Sequence, residues 1–419
     1  MFSTLLSPSV LKSVFQKSLL VTSIAALAAC GSDDEDSFIS PVNDELVTIS
    51  SDAEPAGFAY ESGVNATYYA DESYGADERN KFDIFLPESE EPTGLVIYIH
   101  GGGFFTGDKA LAIYDFDSEG TPTPNASNIA DINDVLEAGH AFATINYSLL
   151  DVPGFNGAAQ NDTEGLTKPL SDIREALQYI RYNAKTFNIA PEKVATYGVS
   201  AGAVSSLWLA YSDDMIDVDS EDPIAQQSTR ISAAGAIETQ GSLDLVRWEE
   251  ILSLASVTLE QAAELGGLPF MQSVYGLPAE TAAESLVLIR AESGELADYR
   301  ATLDLPALID SSDAPVYVSN TQVGVLETSV AFTRISEIPG EIAAALLSED
   351  YATAATLEIE ATSLQSQLIN ALLHFPTHAQ TIKNYATQAG AEVVANIPTL
   401  GDPDQTQQTA VSFLLENLQ

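Results

Sequence analysis

Ser200 stands at the centre of Gly198-Val199-Ser200-Ala201-Gly202, and well upstream the chain reads His100-Gly101-Gly102-Gly103-Phe104. A serine hydroxyl is a poor nucleophile unless a tight turn exposes it and preformed N–H groups await the oxyanion it generates. Gly-x-Ser-x-Gly between a strand and an apolar helix provides such a turn. Consecutive glycines let the backbone approach a bound carbonyl, so Gly102 and Gly103, joined by the N–H of Ala201, are the expected oxyanion donors. Attack on an acyl carbonyl is the chemistry these residues could do. His100 belongs to the glycine loop and precedes the serine, so it is expected to fix that loop.

Such a serine needs a base, and the base needs a carboxylate to orient it. The chain has four histidines. His140 opens a strand ahead of the serine and reads as structural. His374 and His378 remain, in Leu373-His374-Phe375-Pro376-Thr377-His378-Ala379, where Pro376 marks a helix start. The acid is expected after one of two strands beyond the nucleophile; Asp244 and Glu327 are the candidates.

These groups must be held by a framework, and the framework alternates. Lys81 to Leu86, Gly94 to Ile99, Ala141 to Tyr147, Val194 to Tyr197, Ile231 to Ile237, Pro315 to Val318 and Ala391 to Ile397 read as strands. Leu170, Ile173, Leu177 and Ile180 fall at helical spacing, Ala203 to Ala210 is apolar nearly all round, and Val411 to Leu418 closes the chain as a helix. This pattern predicts an α/β fold with a mostly parallel sheet and helices on both faces. Residues 243–312 and 323–373 are Ala, Leu and Glu rich with helical periodicity. They are expected as helical insertions at the edge where ligands bind, forming a lid or pocket wall.

Asp83-Ile84-Phe85-Leu86-Pro87, Val96 to Phe104, Gly107-Asp108-Lys109 and Gly198 to Gly202 together resemble the α/β-hydrolase superfamily. Within it the chain resembles the carboxylesterase and feruloyl-esterase-like groups that share the His-Gly-Gly-Gly loop. The likeness covers residues 65 to 210 well. It implies hydrolysis of carboxylic esters through an acyl-enzyme on Ser200, with no cofactor and no metal. His-x-Pro and Gln-x-Ser-x-Asp segments of similar relatives favour His374 over His378, and Asp244 over Glu327. The resemblance also implies a histidine after the last strand, yet residues 398–419 contain none. Two other readings stay open: a serine peptidase, and a catalytically inactive hydrolase fold serving as a surface binding lipoprotein.

The N-terminus and the charge bound the setting. Lys12 and Lys17 precede an uncharged apolar stretch, and Leu27-Ala28-Ala29-Cys30 ends it with the chain's only cysteine. Residues 1–29 resemble a bacterial lipoprotein signal, with Cys30 as the lipidated residue. Gly31 after it points to the outer membrane of the cell envelope. Residues 30–60 are expected as an acidic flexible tether and residues 61–419 as the hydrolase domain. A net charge of −45 repels phosphate backbones and anionic lipid surfaces, which excludes nucleic acid as a partner and leaves the lipid anchor to hold the membrane.

Overall fold

The structure, a computed structural model, describes residues 40–419 apart from 50–52, 54, 62, 118, 256, 323 and 324; of the side chains at 325–329, 332 and 336 nothing is described. The expected signal and Cys30 lie outside the described residues. Eight strands form one sheet: β1 (Ala66–Ser73), β2 (Lys81–Pro87), β3 (Thr93–Ile99), β4 (Ala141–Ile145), β5 (Ile189–Val199), β6 (Ala234–Ile237), β7 (Val316–Ser319) and β8 (Val393–Asn396). Their spatial order is β1-β2-β4-β3-β5-β6-β7-β8. Only β2 runs against its neighbours, pairing antiparallel with β1 and β4, while β4 through β8 are parallel to β3. This is the α/β-hydrolase fold.

Burial on both faces explains the composition of the central strands. Every residue of β3 is buried, as is every residue of β4, so both read as continuous apolar runs rather than as alternation. β1 was not legible in the sequence: only one of its eight residues is buried and it pairs only with β2. Helices α1 (Ala126–Glu137), α2 (Thr167–Tyr182), α3 (Ala201–Tyr211), α4 (Val325–Leu347), α5 (Tyr351–Leu373), α6 (Thr377–Ala389) and α7 (Ala410–Asn417) include the layers on the sheet. The apolar positions read in α2 point inward: Leu170, Ile173, Leu177 and Ile180 are all buried.

Both insertions are helical. Residues 245–308 form a succession of short helices, and α4 and α5 make a long pair of 23 residues each. Part of the expected tether is docked on the domain instead of standing free. Asn43 N–H donates to Tyr182 O at 2.9 Å, Val47 N–H to Thr186 Oγ1 at 2.9 Å, and Gln227 Nε2 to Pro41 O at 2.6 Å. Among the described residues, no helix is long and apolar enough to cross a membrane.

The sheet's C-terminal edge sets the site. Ile99 is level with Gly198, Val199 with Ile237, Ile237 with Ser319 and Ser319 with Asn396. The glycine loop, the serine turn and the turns after β6 and β7 therefore emerge side by side. The closest approach on this edge is at Gly202, where an added Cβ would lie 1.9 Å from Ile99 O and 2.6 Å from Ile99 C. Both obstacles are backbone, so α3 can start beside β3 only with glycine there. Gly202→Ala is predicted to lower stability by about 3 kcal/mol and to disturb the glycine loop; urea midpoints and activity of the soluble fraction measure both.

Candidate active site

Ser200 joins β5 to α3 with φ 56° and ψ −118°, a region that costs a side-chain-bearing residue about 1–3 kcal/mol and concentrates at functional sites. The turn is held from both sides: Ser200 N–H donates to Ile237 O at 3.0 Å, and Val204 N–H donates to Ser200 O at 3.0 Å. The hydroxyl lies at the wall of a cavity shared with Gly103, Phe104, Gln240, Trp248 and Leu373.

His374 Nε2 lies 2.9 Å from Ser200 Oγ. His374 is the C-cap of α5, and its own N–H donates to Asn370 O. Burial lowers the pKa of its ring below the ordinary 6.5, opposed by a hydrogen bond with the Asn370 backbone. Two buried side chains fix the histidine's backbone. Gln240 Nε2 donates to Leu373 O at 2.9 Å, and Asn320 Nδ2 donates to His374 O at 3.2 Å and Phe375 O at 3.3 Å. Asn320 also exchanges hydrogen bonds with the Thr239 backbone, so the turns after β6 and β7 and the α5–α6 junction form one bonded cluster.

His378 occupies the same junction in a different state. Its Nδ1 accepts from Gly241 N–H at 2.9 Å and its Nε2 donates to Leu372 O at 2.9 Å. Both nitrogens are committed to backbone, and complete burial pushes the pKa down to about 3. It is a neutral brace for the base's neighbours, and its geometry does not place it at the serine.

The glycine loop is held by its surroundings. Gly102 and Gly103 have φ 114° and 61°, values that side-chain-bearing residues seldom adopt. Among the described residues, the N–H groups of Gly102, Gly103 and Ala201 donate to no protein acceptor. His100 supports the loop as expected. Its Nδ1 donates to Gly101 O at 2.7 Å, its ring stacks on Tyr147 at 4.2 Å, and burial pushes its pKa down to about 4. Gly107-Asp108-Lys109 anchors the far side: Arg79 Nη2 donates to Gly107 O at 3.0 Å, and Lys109 Nζ pairs with buried Asp83 at 2.7 Å. His140 precedes the first residue of β4, at the opposite edge of the sheet from Ser200, and its ring meets Gly94 near the start of β3.

Asp244 departs from expectation. Its Oδ1 accepts from Tyr275 Oη at 2.6 Å and Arg300 Nε at 3.0 Å, and its Oδ2 from Arg300 Nη2 at 3.0 Å. This carboxylate ties the start of the first insertion to its later helices and makes no hydrogen bond with His374. Asp244 lies seven residues beyond the end of β6, at the start of the first insertion and within reach of its later helices. Glu327 falls near the start of α4, and its side chain is outside the described residues. The loop after β8, where the resemblance implied a histidine, instead has Asp402 paired with Lys383 and bridged to Ile397.

Sequence reasoning missed two residues here. Glu238, directly after β6, has φ 50°; its Oε1 accepts from Thr321 N–H, Thr321 Oγ1 and Gln322 N–H, while Oε2 is buried with no hydrogen-bond partner. Asn320 directly follows β7. Position at a strand end was the available signal for both.

One small cavity adjoins Ser200, and a second adjoins the first. One of about 30 Å³ contains the serine, and one of about 70 Å³ lies beyond it, with Leu245, Trp248, Phe270 and Leu373 as common walls. The outer chamber is otherwise bounded mainly by apolar side chains of the first insertion and by Ile369 and Leu372 of α5. The insertions therefore wall the site, as their position in the sequence suggested.

Fold and site together define an α/β-hydrolase with a serine–histidine pair on the C-terminal edge of its sheet. The BD-FAE family model matches residues 82–273, a span containing the glycine loop and Ser200 and ending before His374. Acetylcholinesterase-1 of Trittame loki is 34% identical over 125 residues, 30% of this chain and 19% of that protein. Cholinesterase 1 of Branchiostoma lanceolatum is 33% identical over 119 residues, 28% of this chain and 29% of that one. The chain thus spans less than a third of the length of these curated relatives. A truncated carbohydrate esterase from gut microbiota has a TM-score of 0.47 at 14% identity, covering 85% of this chain and 98% of that one.

The histidine brace carries a pH signature. A folded-state pKa near 3 against an unfolded value near 6.5 means that His378 contributes stability above about pH 6.5, lost progressively as pH falls towards 3. The stability advantage of wild type over His378→Gln should therefore shrink by about 2 kcal/mol between pH 7 and pH 5. Urea unfolding of both proteins at the two pH values measures it.

Proposed function

We propose that the protein is a serine hydrolase of carboxylic esters with small apolar acyl groups. The hydrogen bond between Ser200 Oγ and His374 Nε2 carries this reading, and the free N–H groups of Gly102, Gly103 and Ala201 support it. As Ser200 Oγ attacks the ester carbonyl, its proton passes to His374 Nε2. The tetrahedral oxyanion is held by the three N–H groups. The imidazolium returns the proton to the departing alcohol, leaving Ser200 acylated. Water then repeats the sequence and frees the acid. The BD-FAE match and the cholinesterase and esterase names of the relatives agree with ester chemistry.

The paired cavities favour short acyl groups. Their combined space is smaller than the roughly 150 Å³ that holds a benzene, and their lining offers little to a charged chain. On this reading, activity on p-nitrophenyl esters should peak at short acyl chains and fall beyond them. Ser200→Ala and His374→Ala should each lose at least about 10³-fold in kcat, and the double variant should be little worse than either single one. A fluorophosphonate should label wild type but not Ser200→Ala; an unlabelled wild type excludes the reading. The acid limb of kcat/KM should lie below 6.5, because burial keeps His374 neutral at lower pH.

The setting proposed is the outer membrane of the cell envelope, through lipid on Cys30 after removal of residues 1–29. Leu27-Ala28-Ala29-Cys30 supports it. Cys30→Ser should move the protein from the detergent-extracted membrane fraction to the soluble one, read by immunoblot.

A further inference from the structure

We infer that Arg79 is a positioning residue of the oxyanion hole: it holds His100 in the tautomer whose Nδ1–H fixes the Gly101 carbonyl and so aims the Gly102 N–H. The inference rests on the proposed serine hydrolase reading. Arg79 lies in the turn between β1 and β2. Its Nε donates to Tyr147 O at 2.8 Å, and its Nη2 to Gly107 O at 3.0 Å and Asn146 Oδ1 at 3.2 Å. Nη2 also lies 3.4 Å from His100 Nε2. A guanidinium can only donate, so Nε2 must be the bare nitrogen. At the other end of the ring, Nδ1 lies 2.7 Å from Gly101 O. A carbonyl can only accept, so Nδ1 must carry the proton. The two partners thus demand the same tautomer. The ring is fully buried and stacked on Tyr147, and burial keeps it neutral.

The tautomer matters because the peptide is planar. The bond from Gly101 to Gly102 is trans, and a trans peptide points its carbonyl and its N–H in opposite directions. Holding Gly101 O toward His100 therefore turns the Gly102 N–H to the other side. Gly101 itself lies against the nucleophile turn: a Cβ added there would be 2.7 Å from Val199 O and 3.4 Å from Ser200 Cβ. Gly107 packs on the orienting bond, since a Cβ added to it would be 2.4 Å from Gly101 O and 2.5 Å from His100 Nδ1. Arg79 holds the carbonyl of that same glycine. The Gly103 N–H needs no such support. Gly102 O accepts from the N–H groups of Phe105 and Thr106, both at 3.1 Å, so a local turn aims it. Of these two donors, only Gly102 depends on a residue from a distant hairpin. In the other tautomer, Nε2–H would meet Arg79 and the Nδ1 lone pair would face Gly101 O, leaving that peptide free to turn.

The test uses the full chain and p-nitrophenyl butyrate, with each variant's fold checked by thermal melting. Loss of one oxyanion donor costs about 10²–10³ in kcat, so Arg79→Met, which only releases such a donor, should lower kcat by about 10- to 100-fold and leave KM within about threefold. Asparagine at position 100 can present an amide N–H where Nδ1–H stood, yet it is too short to meet Arg79. Adding Arg79→Met to His100→Asn should therefore cost less than about threefold further in kcat, the non-additivity expected of residues acting through one another. Wild type also answers directly. In ¹⁵N spectra of the histidine-labelled protein near neutral pH, the ring that disappears in His100→Asn should show a protonated Nδ1 and an unprotonated Nε2. A protonated Nε2 on that ring, a rise in KM with kcat unchanged in Arg79→Met, or independent effects in the double variant overturns the inference. Fluorophosphonate labelling of wild type separates the two ideas, because its failure removes the serine hydrolase reading itself while the tautomer is read without activity.

Discussion

One hydrogen bond joins residues 174 apart in sequence, Ser200 Oγ to His374 Nε2, and much of the surrounding architecture serves to hold its two ends still. The serine end is fixed by steric exclusion. The carbonyl of Ile99 allows no side chain at Gly202, so the strand, turn and helix that carry Ser200 have a single way to meet. The histidine end is fixed by polar ties. Asn320, Gln240 and His378 hold four consecutive carbonyls, Leu372 to Phe375, and each of these side chains is itself almost wholly buried. A buried polar group left without its partner is costly, so these ties resist rearrangement.

The division between what the chain announced and what it concealed follows from the range of the forces involved. Ser200 and the glycine loop are specified by adjacent residues, since a tight turn needs its glycines in the turn itself. The strands of the sheet interior were legible because two-sided burial demands continuous apolar runs. β1, an edge strand with mostly half-covered residues, lacks that signature. The choice between His374 and His378 could not be made from spacing, because both lie at the α5–α6 junction. What separates them is the bond each nitrogen makes to a distant segment. Asp244 was misplaced for the same reason: its partner Arg300 lies 56 residues away, inside an insertion whose helices were visible but whose mutual packing was not. Glu238 and Asn320 take their importance from strand registry, which a linear pattern does not encode.

The two insertions also divide labour. The first covers the apolar space beside Ser200 and is stitched together by charged pairs, Asp244 with Arg300, Arg247 with Asp304 and Arg290 with Glu249. The second delivers the histidine, from a helix that precedes β8 rather than from the loop that follows it. The loop after β8 is closed by Asp402 and Lys383 and stays out of the centre.

The last turns of α5 do two things at once. Ile369, Leu372 and Leu373 form part of the wall of the outer chamber, and the next residue is His374. A wall and a base on the same rigid turn cannot be adjusted independently. In the proposed reaction, an acyl group too bulky for the chamber would push the imidazole out of line with the serine as it entered. Discrimination between chain lengths would then be expressed in turnover more than in affinity, and a poor substrate would occupy the enzyme as an inhibitor.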